Sequence, residues 1–345
     1  MHRHAYPTSP ELSIFRAAGA RDRVVFAIGA LTAALVLAWL ALAGPPRTRE
    51  VVVHLAQGAT ATLKEGAALA TVQIDRAVGS SQALRALFTE LGYGLDEVRE
   101  GAPVPRVILN RMPTDIHEID SPEARKHLFV KAILPIVLEA NQAILKDRAR
   151  LDELYEKDAA GKEFTPRERA WLQRLADRYE LDEVNLVELR RRVDAVPPSL
   201  AIAQAALESG WGTSRLAQAG HSLFGQKVQR PEPGTGARVG FVPIKSEGDD
   251  LVMRTFDDLS STVKAYVQNL NTHGAYREFR AQRAVLRAHG KPLDGWQLAG
   301  AIKRYSERGR DYIKDVRGLI KANELSALDD ARLSDDGHRM PLRAI

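Results

Sequence analysis

The stretch Pro197-Pro198-Ser199-Leu-Ala-Ile-Ala-Gln-Ala-Ala-Leu-Glu208-Ser-Gly-Trp-Gly212 constrains this chain more than any other. Two prolines and a serine are a helix start signal, and Gly210 with Gly212 is a stop signal. The spacing therefore predicts a short helix over Ser199 to Ser209. Its side chains are nearly all Ala, Leu and Ile, and a helix apolar on every face has to be enclosed by others. On a helical wheel Leu200, Ala203 and Leu207 form the core stripe.

One carboxylate, Glu208, interrupts that apolar helix in its last turn, beside Ala201, Gln204 and Ala205. Burial disfavours the charged carboxylate, and the partial negative charge of a helix C-terminus disfavours it further. Glu208 is thus expected to hold its proton to higher pH than a free Glu. That property suits a general acid that protonates a leaving-group oxygen at a glycosidic bond. The small neighbours leave room for a ligand, and Trp211 offers an apolar wall or a sugar-stacking face. The plain alternative is a solvated Glu at a helix end.

The string AQAALESGWGTSRLA, followed by SLFGQK, resembles the signature of the bacterial glucosaminidase family of peptidoglycan hydrolases. VPRVILNRMP and LNTHGAYREFR resemble its Bax-type branch. Tyr305-Ser-Glu-Arg-Gly-Arg-Asp-Tyr312 looks like the family's second signature, so its functional tyrosine maps onto Tyr305. The resemblance covers roughly residues 105 to 325. It implies an α+β, mainly α, lysozyme-like catalytic domain in which a small β hairpin lobe faces the helical body.

It also implies Glu208 as catalytic acid, with Trp211, Phe224, Gly225, Tyr276 and Tyr312 as substrate contacts. The implied reaction is hydrolysis of the β-1,4 bond after N-acetylglucosamine in peptidoglycan glycan strands, with no metal or organic cofactor. Two readings compete: a catalytically silent cell-wall-binding scaffold, and a lytic transglycosylase. Where the family usually reads Asn-Asn-Leu-Phe-Gly, this chain carries His221 and Ser222, so hydrogen bonds made there must be remade or lost. His221 stands alone, without a partner at ligand spacing, and is read as structural.

Alternating residues around Arg238 to Val242 and Leu251 to Phe256 predict two short antiparallel strands, the sole strand-like region expected in this helical domain. The turn between them holds Glu247, Asp249 and Asp250. Glycosidases commonly need a second carboxylate opposite the acid to activate water, and Glu247 is the first choice for it. Elsewhere, Gln82 to Leu91 reads as a helix. Ser121-Pro122-Glu123 opens a long one that Pro135 should kink, and Thr165-Pro-Arg-Glu168 is a capping box.

Val24 to Gly44 is an uncharged apolar run, long enough to span a bilayer as one helix. Arg16, Arg21 and Arg23 before it, against Arg47 and Arg49 after it, place residues 1–23 in the cytoplasm and the catalytic domain in the periplasm, anchored in the inner membrane. A cleaved signal ending at Ala41-Leu-Ala43 is the alternative, and export follows from both. Residues 45–104 read as a linker or accessory segment, and residues 326–345 as a loose tail. The net charge of +5 suits anionic lipid or cell wall, and no basic stripe with interleaved aromatics points to nucleic acid. The chain has no cysteine, so disulfides and thiolate metal sites are excluded.

Overall fold

The computed structural model describes residues 49–54, 60–65, 71–75, 80–229, 241–243 and 251–334. The expected membrane span 24–44, the segment 1–23 and Glu247, Asp249 and Asp250 lie outside these residues. The described part is mostly helical with few strands.

Three strands, β1 (Arg49–His54), β2 (Thr60–Glu65) and β3 (Thr71–Asp75), open a four-stranded sheet that β4 (Val107–Leu109) completes. β2 pairs antiparallel with β3, and β3 pairs parallel with β4. Of the two readings of residues 45–104, linker or accessory segment, the strands ahead of residue 76 favour the accessory segment, and β4 adds a strand that the helical domain was not expected to hold. The runs of β1 to β3 are only five or six residues long, so each offers too few repeats for its pattern to stand out.

Helices α1 (Ser81–Glu90) and α2 (Leu95–Arg99) follow. Ser80 caps α1 by accepting from the Ala83 amide, and Leu84 and Phe88 on its inner face are fully buried. Residues 80–104 are therefore part of the main core. The long α3 (Pro122–Ala159) is capped by Ser121 and carries Pro135 in its interior. It is long and apolar enough to cross a membrane by length and composition, yet two-thirds of its apolar window is buried inside the protein, as befits a central core helix.

Beyond Ile144, α3 leaves that core. Leu151 and Leu154 form a second small core with Leu172, Leu175 and Tyr179 of α4 (Pro166–Arg178) and its end, and with Leu189 and Val193 around α5 (Leu186–Arg192). The predicted capping box at Thr165 and Glu168 is present in both directions. Asp194 joins this second core to the first. It is almost fully buried and faces Arg287 at 2.8 Å, Arg148 at 3.5 Å and Arg283 at 3.8 Å. Burial alone would raise the pKa of Asp194, but these three guanidiniums overcome it and hold the carboxyl below the usual range.

At the centre lies α6 (Pro198–Ser209), wedged among α3, the later helices and the 3-10 turn Leu325–Leu328. Two side chains from distant segments fix its start. Asn141 of α3 donates to the Val196 carbonyl at 2.7 Å and accepts from its amide at 3.0 Å. Asp329 accepts from the Ser199 amide and hydroxyl, each at 2.8 Å, and from the Gly295 amide at 2.9 Å. Pro197, at the cap position, has no side-chain hydrogen bond, so the cap comes from 130 residues away.

After α7 (Arg215–Gly220), strands β5 (Lys227–Gln229), β6 (Phe241–Pro243) and β7 (Leu251–Arg254) form an antiparallel sheet in the order β5-β7-β6. The expected hairpin thus gains a third strand, β5, hidden in sequence by its shortness. Helices α8 (Leu259–Thr272), α9 (Arg277–Ala288), α10 (Gly295–Leu298) and α11 (Arg310–Ala322) close the body. Residues 326–334 correct the expected loose tail. Leu328 and Leu333 are buried, and the Val104 amide donates to the Arg332 carbonyl while the Ser334 amide donates back to that of Val104.

Candidate active site

Glu208 sits where α6 ends, and the way the helix ends sets its surroundings. Gly210, Trp211 and Gly212 have φ of 59°, 58° and 80°, three successive left-handed residues that turn the chain back sharply. At Gly212 a Cβ would lie 3.2 Å from the Phe129 ring, so glycine is required for space as well as for φ. Trp211 tolerates its strained φ because its ring packs edge-on against Phe129, with centroids 5.7 Å apart. The Ser209 hydroxyl donates to the Ala205 carbonyl and accepts from the Gly212 amide, locking the turn.

The side chain of Glu208 opens to solvent at the surface of the body, while its carboxyl is flanked by Gly225, Tyr312 and Arg308. Gly225 has φ +59°, which favours glycine, and a Cβ there would stand 3.0 Å from Glu208 Oε2 and press on the carboxyl. Burial raises the pKa of Glu208; the Tyr312 hydrogen bond and the Arg308 charge oppose the rise without cancelling it. The direction is that expected for a helix-end carboxyl in an apolar surround.

Behind Glu208 lies a wall of aromatic rings. Tyr305 stacks on Tyr312 with centroids 5.5 Å apart, Tyr276 lies 6.1 Å from Tyr305, and Phe224 stacks on Tyr266 at 3.9 Å. The Tyr305 hydroxyl donates to the Phe224 carbonyl at 2.8 Å. Its one proton is thereby committed, and its lone pairs remain to accept from a ligand N–H or a water. Desolvation holds the phenols of Tyr305 and Tyr312 well above their ordinary value, so both stay neutral.

The residues singled out in the sequence therefore divide. Glu208, Gly225, Tyr305 and Tyr312 come together. Phe224 is 1 % exposed beneath Tyr266 and Tyr276 only 6 %, so their rings back the site instead of presenting a face to a ligand. Trp211 is half-buried on the adjoining turn, with the Lys126 ammonium 5.8 Å from its ring centroid. Glu247 lies outside the described residues. His221 adopts φ 49°, and burial together with Arg111 lowers its pKa against the pull of Asp258 and Asp257. Among the described residues, its Nδ1 and the Ser222 hydroxyl are buried without a hydrogen-bond partner. Among the described residues no cluster of three His, Asp or Glu side chains is disposed to hold a metal ion.

Sequence reasoning missed Gln204 and Tyr266. Tyr266 donates to Gln204 Oε1 at 2.8 Å, and Gln204 Nε2 donates to the Tyr312 hydroxyl at 2.9 Å. The available signal was an amide one turn before Glu208 on a helix otherwise wholly apolar, since a buried amide demands partners.

A family model described as mannosyl-glycoprotein endo-beta-N-acetylglucosaminidase matches residues 185–325, which span α5 through α11 and contain this site. The matched domain is that of a glycoside hydrolase-type enzyme. Protein bax of Escherichia coli (strain K12) is 34% identical over 216 residues, covering 61% of this chain and 74% of that protein. The chain belongs to the Bax-type glucosaminidase family. Among solved structures, the catalytic domain of the autolysin Auto from Listeria monocytogenes is similar at 19% identity and a TM-score of 0.29, over 52% of this chain and 97% of that one.

Proposed function

We propose that this protein hydrolyses the β-1,4 bond after N-acetylglucosamine in peptidoglycan, with Glu208 as the general acid. The observation that supports this best is a carboxyl whose proton affinity is raised by partial burial while its side chain remains open to solvent. Glu208 would give its proton to the glycosidic oxygen as the bond from C1 breaks. Water would then take C1, its proton passing to Glu247, or the substrate's acetamido oxygen would attack first and water would open the resulting ring. Tyr305, its own proton bound to Phe224, would accept from the acetamido N–H or the incoming water. Trp211 would bound the sugar on the near side. Residues 24–44 would hold the enzyme in the inner membrane with its body in the periplasm.

The test is a zymogram on purified peptidoglycan with wild type and Glu208→Gln, followed by mass spectrometry of the products. Clearing by wild type alone, with reducing N-acetylglucosamine ends, supports the proposal. Anhydromuramic ends would instead assign a lytic transglycosylase, and no clearing by pure wild type would assign a scaffold.

A further inference from the structure

We infer that Gln204 and Tyr266 are positioning residues which fix the direction of the Tyr312 hydroxyl proton, sending it to one oxygen of Glu208 and leaving the other to carry the proton delivered to the sugar. The inference rests on the assignment of Glu208 as general acid. A phenol has one proton to donate. Tyr312 accepts from Gln204 Nε2 at 2.9 Å, so its proton is free for the neighbouring Glu208 carboxyl.

The polarity of the Gln204 amide decides this, and Tyr266 decides the polarity. The Tyr266 hydroxyl is fully buried, and among the described residues its hydrogen bond is to Gln204 Oε1 at 2.8 Å. Were the amide reversed, Nε2 would donate to Tyr266, whose own proton would then face no acceptor. Tyr312 would spend its proton on Oε1 and withdraw it from Glu208. The relay cannot slip sideways, because Tyr266 is stacked on Phe224 and Tyr312 on Tyr305. A carboxyl with equal oxygens would place its proton toward Tyr312 as readily as toward a ligand, and only the second placement is productive.

The groups facing Glu208 are Tyr312 and Arg308, with Tyr305 close enough to feel its charge, and Arg308 is paired with Asp315. Substitutions at 204 and 266 leave Arg308 and its pairing with Asp315 untouched and act on Glu208 through the Tyr312 hydroxyl. The full chain labelled with 13C-carboxyl glutamate is titrated by NMR, the Glu208 resonance being assigned by its loss in Glu208→Gln. Gln204→Met, near-isosteric and unable to hydrogen-bond through an amide, should raise the Glu208 midpoint by roughly one unit, as the charged form loses a directed donor. kcat should fall about tenfold on the same scale with KM little changed.

Tyr266→Phe, which frees the amide to reverse, should shift the midpoint the same way by less, and it carries the test should Gln204→Met fold poorly. In a Tyr312→Phe background neither substitution should add a further shift. An unmoved midpoint in Gln204→Met, or shifts that sum with that of Tyr312→Phe, would overturn the relay. The NMR titration reads the proton without turnover, so activity surviving Glu208→Gln would remove the assigned reaction while leaving the relay intact.

Discussion

Asp329→Asn should lose less stability than wild type as pH rises, against the ordinary behaviour of a buried acid cap. Asp329 receives three donors, the Ser199 amide and hydroxyl and the Gly295 amide. Burial nevertheless outweighs them and, with Asp294 nearby, pushes its pKa from 3.8 up to about 6. A folded-state pKa above the unfolded one means that the folded chain binds the proton more tightly. The stability this group supplies is complete below the unfolded value and declines as pH climbs through the folded one.

Two pKa units at 1.36 kcal/mol each set the full decline at about 3 kcal/mol, most of it spent between roughly pH 4 and pH 7. Asparagine, like the neutral acid, carries no charge to desolvate and should show none of this slope. The difference in unfolding free energy between the Asp329→Asn variant and wild type, from chemical denaturation followed by circular dichroism, should therefore grow by about 2 to 3 kcal/mol in the variant's favour from about pH 4 to pH 8. A difference that stays flat refutes the reasoning. One that grows in wild type's favour would mean that the hydrogen bonds prevail over burial and that the carboxyl is held low.

Three further outcomes follow from the described geometry. Asp194→Asn strands Arg283 and Arg287 without their buried counterion and should cost about 3 to 5 kcal/mol in urea unfolding; in wild type this pair's contribution, from a depressed carboxyl, persists above about pH 4 and is lost on further acidification. Gly225→Ala, forced into φ +59° and against Glu208 Oε2, should lower stability by about 1 kcal/mol and turnover at least tenfold, measured by melting and by release of reducing ends. His221→Asn should raise stability by a few tenths of a kcal/mol, since asparagine suits the left-handed conformation, and leave turnover within about twofold in the same assays.

What could be read from the sequence was local and strongly signalled. The prolines and glycines around α6 fix both its ends within a residue, and Thr165 with Glu168 announces α4, because start and stop chemistry acts over four residues. The raised proton affinity of Glu208 was legible for the same reason. What escaped reading was made by contacts distant in sequence: Asp329 caps a helix 130 residues earlier, and Tyr266 orients Gln204 from 62 residues away. Strands β1 to β3 and β5 were missed because strands of three to six residues offer few repeats of any pattern, and their identity is decided by pairing partners. Phe224 and Tyr276 were placed in the site by resemblance, yet an aromatic beside a cleft serves as readily as its foundation as its lining.

The parallel bridge between Val104 and Leu333 gives the folding unit a boundary wider than its family signature. A fragment cut at residues 185 and 325 would keep every atom of the acid and lose Asn141 and Asp329, the two fastenings of the helix that bears it. The chain thus closes on itself outside that signature, so trimming either flank at the bridge leaves the other without its backbone partner.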